Sequence, residues 1–131
     1  MKLDPTTGTL VIGAIEMNAR TPEASFGETT RRRVPDGGHS WMIVVRFAGG
    51  HLTQVTLLAD DDVFGTSWDE YTEEKELARR AVHDAFLEQA LGPAQKADDA
   101  HFSKEWTLPW GRVMSAHDPR GGSTDVQILY R

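Results

Sequence analysis

Two runs of β-branched and aromatic residues in the middle of the chain, Ser40 to Ala48 and His51 to Leu58, are separated by Gly49-Gly50. Paired glycines tolerate the positive φ angles of a two-residue hairpin turn, so the pattern predicts an antiparallel hairpin. With that turn, Phe47 faces Leu52, Val45 faces Gln54, Ile43 faces Thr56 and Trp41 faces Leu58 on one side of the ladder. Met42 opposite Leu57, Val44 opposite Val55 and Arg46 opposite Thr53 occupy the other. Both faces then read as largely apolar, which predicts that the second is covered by a loop, by a curl of the sheet or by a partner.

The long helical period comes next. Asp60-Asp61-Asp62 and Gly65 end the hairpin, and Ser67-x-x-Glu70 has the capping-box spacing, so a helix is expected to start near Ser67 and run to Leu91. Gly92-Pro93 stops it, because glycine suits the left-handed cap and proline cannot continue the ladder. On a period of about 3.6 residues, Tyr71, Ala78, Val82, Ala85 and Phe86 share one stripe, expected to face the sheet. Glu73, Glu76, Arg80, Asp84 and Glu88 lie opposite, where Glu76 with Arg80 and Arg80 with Asp84 form i,i+4 pairs.

Weaker signals fill the rest. Thr9 to Met17 reads as a first strand after the turn residues Thr6, Thr7 and Gly8, and Pro22 to Phe26 as one helical turn capped by Thr21. Gly27 to Gly38 reads as a polar linker in which Arg31-Arg32-Arg33 is a solvated loop. After the helix, His101 to Leu108 and Gly111 to His117 flank Pro109-Trp110. Ser123 to Tyr130 closes the chain with Val126, Ile128 and Tyr130 on one face. The fold class is therefore α+β: an antiparallel sheet of about five or six strands with one long helix across a face, in a single domain spanning 1–131.

Composition narrows the chemistry. A net charge of -6 argues against binding a phosphate backbone, which needs a surplus of Lys and Arg, and favours a basic partner instead. Cysteine is absent, which removes disulfides, thiol catalysis and thiolate metal sites. No apolar run approaches the length of a membrane span and no leader pattern opens the chain, so no membrane partner and a cytoplasmic location are the expectations.

Three groups of residues invite a functional reading. Asp60, Asp61 and Asp62 with Asp69 and Glu70 offer oxygens to a hard cation, but lack the spaced ligands of a calcium loop; a solvated turn is the better reading, and neither metal nor cofactor is expected. His83 has no second histidine one turn away, so it reads as a packing or hydrogen-bonding histidine rather than a zinc ligand or general base. Ser115, His117 and Asp118 are close in sequence, but no nucleophile elbow surrounds the serine. Of the four tryptophans, Trp41 and Trp110 read as core, while Trp68 and Trp106 fit either core or interface.

Trp68-Asp69-x-x-Thr72-Glu73-x-x-Glu76-x-x-Arg79-x-x-x-His83-Asp84-x-Phe86-Leu87, followed by Leu108-Pro109-Trp110-Gly111 and by Ser115-x-x-Asp118-x-Arg120-Gly121-Gly122, spans most of the chain. The pattern resembles small uncharacterised bacterial proteins with SWxxWSEExE…HDxWL, PWG and SxxDxRGG signatures, among which proteins of the toxin-immunity type are found. Tyr71 stands where those have tryptophan. The resemblance implies a non-enzymatic immunity protein that neutralises a cognate toxin, and it carries no active-site residues to transfer. Taken with the acidic charge, it directs attention to Asp60, Asp61, Asp62, Trp68, Asp69 and Glu70 as the surface for a basic secreted toxin. Two other readings are a small enzyme or ligand-binding domain using His83, Asp84 and His117 in a cleft between sheet and helix, and a structural module. The module would pair the second hairpin face of two copies, which makes the chain a monomer or a homodimer.

Overall fold

The computed structural model describes residues 1–65 and 67–131. Three short strands, β1 (Lys2–Leu3), β2 (Leu10–Ile12) and β3 (Ile15–Met17), make a small antiparallel sheet. Seven more make a second antiparallel sheet: β4 (Arg31–Asp36), β5 (His39–Ala48), β6 (His51–Ala59), β7 (Lys96–Asp98), β8 (Ser103–Leu108), β9 (Gly111–His117) and β10 (Thr124–Tyr130). Their spatial order is β4-β5-β6-β10-β9-β8-β7. The single long helix, α1, spans Glu73–Leu91. None of the helices among the described residues is long and apolar enough to cross a membrane.

The α+β class holds, and the main sheet is larger than five or six strands. Its extra width comes from the edges. The segment read as a polar linker supplies β4, in which Arg31, Arg32 and Arg33 pair with Val44, Ile43 and Met42. Charge is tolerated there because one side of an edge strand stays in water, and Pro35 costs no ladder hydrogen bond on that side. Arg32 also packs over the Phe26 ring, 4.7 Å from its centroid, which satisfies the inward side of the strand. The expected single strand from Thr9 to Met17 is instead a tight hairpin, because Gly13 turns the chain at φ +56° and its N–H donates to Asp36 Oδ2 at 2.7 Å.

The central hairpin turns at Gly49-Gly50 as the pattern predicts, but its register beyond the first pairs does not follow the simple count. Phe47 faces Leu52, and an irregularity between Arg46 and Phe47 then shifts the ladder by one residue. Val45 faces Val55, Ile43 faces Leu57 and Trp41 faces Ala59. One extra residue in one strand moves every later side chain to the other face. The shift therefore sorts the hairpin into a uniformly apolar inner face and a mixed outer face with Met42 opposite Leu58, Val44 opposite Thr56 and Arg46 opposite Gln54.

The core lies over the inner face. Trp41, Ile43, Val45, Val55, Leu57, Val126, Ile128, Val113 and Trp106 are buried there together with Leu3, Leu10, Ile12 and Met17 of the small sheet. Tyr130 Oη donates to Gly8 O at 2.8 Å and the Trp110 indole to Pro5 O at 2.9 Å, tying the small sheet to the end of β10 and the β8–β9 turn. A Cβ on Gly8 would meet the Trp110 ring at 2.5 Å, so only glycine permits this approach.

Helix α1 departs most from its expected form. It begins at Glu73 rather than near Ser67; Thr72 is the cap, its Oγ1 accepting from Lys75 N–H at 3.1 Å, and Ser67 instead opens a 3-10 turn over Trp68–Glu70. The stripe of Tyr71, Ala78, Val82, Ala85 and Phe86 does not form the buried face. The buried helix residues are Glu76, Arg79, Arg80, His83 and Leu87, two of them drawn from the face expected to be solvated. The reason is the patch of sheet beneath: Ser115, His117 and Thr124 are buried polar side chains on that face, and a polar floor selects a polar helix face.

Leu87, fully buried at the apolar end of that face, should lose about 2–5 kcal/mol on Leu87→Ala. Ala78→Glu, on the exposed flank, should change stability by less than about 0.5 kcal/mol. Urea denaturation of the two variants reads the difference, and the opposite ranking would place the stripe inward.

Candidate functional site

The helix and the sheet meet across a seam of polar groups, of which Arg80 Nε, His83 Nδ1 and His117 Nε2 have no hydrogen-bond partner among the described residues. Asp84 Oδ1 accepts from Ser115 Oγ at 2.6 Å, and its Oδ2 faces Arg80 at 3.5 Å and Lys104 Nζ at 3.6 Å. Lys104 reaches Glu88 at 2.6 Å, and this bond, with the nearby carboxylates, raises its pKa. Arg79 Nη2 donates to the carbonyls of Phe64 and Gly65 at 3.1 and 2.8 Å, fastening the loop before the helix.

His83, Asp84 and His117 all belong to this seam, but they serve different partners. His83 is fully buried and its Nε2 accepts from the Ala59 N–H at 2.9 Å, which leaves the proton on Nδ1. Burial, with Arg79 nearby, pushes its pKa down to about 3, so the ring is neutral at physiological pH. His117 Nδ1 pairs with Thr124 Oγ1 at 2.8 Å, and its ring meets Phe102 edge-on. The serine hydroxyl is bound to Asp84 rather than to a histidine. The seam acts chemically as a lock between helix and sheet. Among the described residues no group of three His, Asp or Glu side chains is placed to hold a metal.

The acidic segment between β6 and α1 divides in two. Asp61 works within the fold: it accepts from Ser40 N–H and pairs with the His39 ring, each at 2.6 Å. Burial pushes its pKa up, but these two bonds outweigh that and hold it below the usual carboxylate range. Asp60 is partly engaged, facing Arg33 Nε at 3.3 Å. Asp62, Trp68, Asp69 and Glu70 are exposed. Trp68 is 69% exposed, unusual for so large a ring, and stacks on Tyr71 with centroids 5.0 Å apart and planes 23° from parallel. Both rings rest on Gly122 in the turn between β9 and β10, where a Cβ would come within 2.6 Å of Trp68 and 3.1 Å of Tyr71. The two glycines of the SxxDxRGG run thus include the seat of this aromatic pair, a role that spacing alone does not reveal. Val63, 70% exposed, lies on the same segment.

Three of the surface grooves bear on the candidate residues. One of about 650 Å³ runs between the small sheet and α1, lined by Leu3, Pro5, Val11, Phe86 and Ala90. A second of about 500 Å³ continues past Phe86 to Val82, Ala85 and Trp41, so the stripe expected to be core is partly the wall of a groove. A third of about 250 Å³ opens beside Trp68 and Tyr71 and includes Asp60, Glu76 and Arg79. Trp68 and Asp60 are thus brought to one place, whereas His83, Asp84 and His117 lie inside the seam.

The His83 latch has a pH signature. Below about pH 6.5 an unfolded chain takes up a proton on His83 that the native chain refuses until about pH 3, so stability falls with falling pH, by up to about 1.4 kcal/mol per unit. His83→Gln keeps an acceptor for Ala59 N–H and should flatten the profile between about pH 7 and 5. Denaturant midpoints that fall in parallel for the two proteins would remove His83 as the source.

No protein-family model and no curated protein matches the sequence. Among solved structures, a chain in the complex of Rhs1-CT with its cognate immunity protein RhsI1 is similar over 100% of this chain and 87% of its own, at a TM-score of 0.58 and 15% identity. At that identity the fold is what the two chains share.

Proposed function

We propose that this chain is a non-enzymatic immunity protein of the bacterial cytoplasm, which neutralises a cognate toxin by binding it. The observation that carries the reading is the stack of exposed Trp68 on half-buried Tyr71, with the exposed carboxylates Asp69 and Glu70 between them in the chain. Aromatic side chains held rigid by stacking are the usual anchors of protein interfaces, and flanking carboxylates steer a basic partner and exclude an acidic one. The likeness of fold to a chain from a toxin-immunity complex agrees with this. Asp60 and Asp61 support the surface from behind: Asp61 pins the start of the loop to β5, and Asp60 anchors Arg33.

A second reading has an observation of its own. The outer face of the main sheet presents Met42, Val44, Leu58, Met114 and Leu129 to solvent in part, and this face would suit pairing of two copies. Light scattering at high concentration separates the two, since a monomer excludes the pairing.

Co-expression of the tagged chain with the protein encoded immediately upstream should yield a stoichiometric complex. Trp68→Ala should weaken it by at least about ten-fold, and Asp69→Lys with Glu70→Lys should slow association more than it speeds dissociation. If native-host purification recovers no stoichiometric protein and the adjacent genes encode no toxin, the immunity reading falls.

A further inference from the structure

Glu76 is a buried carboxylate with half of its capacity unused. Its side chain is 7% exposed; Oε1 faces Arg79 Nη2 at 3.5 Å, while Oε2 has no hydrogen-bond partner among the described residues. An unpartnered buried carboxylate oxygen is costly, and a donor brought by a binding partner would relieve that cost. Glu76 lines the groove of about 250 Å³ whose outer wall is Trp68 and Tyr71.

We infer that this groove is a receptor for one arginine side chain of a protein partner, with Glu76 at its floor and the Trp68-Tyr71 stack as its wall. The inference rests on the binding reading above for the source of the cation. Three features select a guanidinium. Glu76 Oε2 accepts and cannot donate, so it calls for an N–H group. The indole face attracts a planar cation, and arginine stacks there better than lysine does. Asp60, which also lines the groove, adds a second carboxylate that favours a cation over an anion.

The two arginines that line the groove already have partners. Arg79 spends Nη2 on the Phe64 and Gly65 carbonyls as well as on Glu76. Arg31 points its Nε at Met42 Sδ, 3.4 Å away on the outer face of the sheet. Arg79 Nε, also without a partner among the described residues, is a donor left for a main-chain carbonyl of the incoming residue.

The test titrates the intact chain with N-acetyl-arginine methylamide, and with the lysine and glutamine counterparts, while following the Trp68 indole N–H by NMR. The arginine probe should shift that signal saturably in the millimolar range, the lysine probe more weakly and the glutamine probe not at all. Glu76→Gln should weaken arginine binding by about ten-fold, the loss of one charge-assisted hydrogen bond. Trp68→Ala, at a ring that is 69% exposed, should weaken it too, read from the Tyr71 ring signals. Equal response to arginine and glutamine, or an unchanged titration in Glu76→Gln, overturns the receptor. With the upstream-encoded protein as ligand, binding unaffected by Glu76→Gln also overturns it and leaves the immunity reading standing. Saturable arginine binding in a chain that captures no protein keeps the receptor and retires that reading.

Discussion

The architecture turns on the burial of charge between α1 and the main sheet. Taking Glu76, Arg79, Arg80 and Asp84 out of water is unfavourable unless each finds a partner, and partners at fixed positions leave the helix little freedom to rotate or slide. Asp84 meets Ser115 on β9, Lys104 on β8 reaches up to Asp84 and Glu88, and His83 accepts from the backbone of Ala59 at the end of β6. These contacts come from three strands, so they set both the height and the rotation of the helix. An apolar interface of equal area would be less particular about register. Leu87 and the Trp106 indole, which donates to Gly92 O at 2.9 Å, finish the contact at the C-terminal end of the helix.

The position of the acidic loop follows from that lock. Arg79 holds the Phe64 and Gly65 carbonyls, and Asp61 holds Ser40 and His39, so the loop is tied at both ends before it reaches Trp68. The aromatic pair then settles on Gly122, at the end of the β9–β10 hairpin. The exposed ring is thus mounted on two separate elements and is not carried by a free loop. Interfaces gain affinity from such pre-organisation because less freedom is lost on association. The inward use of charged helix residues has a counterpart: Ala78, Ala81 and Ala85 are left on the outer flank of the helix, and Phe86 and Val82 border a groove.

Sheet order imposes a second constraint. β10, the last strand in the chain, lies between β6 and β9 at the centre of the main sheet. The two hairpins, β5–β6 and β8–β9, are joined only through it, so the sheet and the polar floor under α1 are complete only when this strand is in place. Its buried Val126, Ile128 and Tyr130 alternate with half-buried Asp125, Gln127 and Leu129, the pattern of a strand with one face in the core. The outer face is partly screened at Asp125, and that burial raises its pKa against the opposing hydrogen bond from Gln127.

Local rules were legible along the chain. Gly49-Gly50 makes a hairpin turn, Gly92-Pro93 stops a helix, and alternation in Ser123 to Tyr130 makes a strand, because each depends on residues within a few positions of one another. The acidic, tryptophan-bearing segment was also legible as composition. Packing chose which helix face is buried, since a stripe of alanines and a stripe of charges compete and the sheet's Ser115, His117 and Thr124 settle the choice. It also decided the hairpin register, because one irregularity beside Phe47 reverses the faces of all that follows, and no local signal marks it. The same holds for the site. Trp68, Tyr71, Glu76 and Gly122 are brought together from the loop, the helix and a distant turn, and spacing along the chain carries no information about a contact that only packing creates.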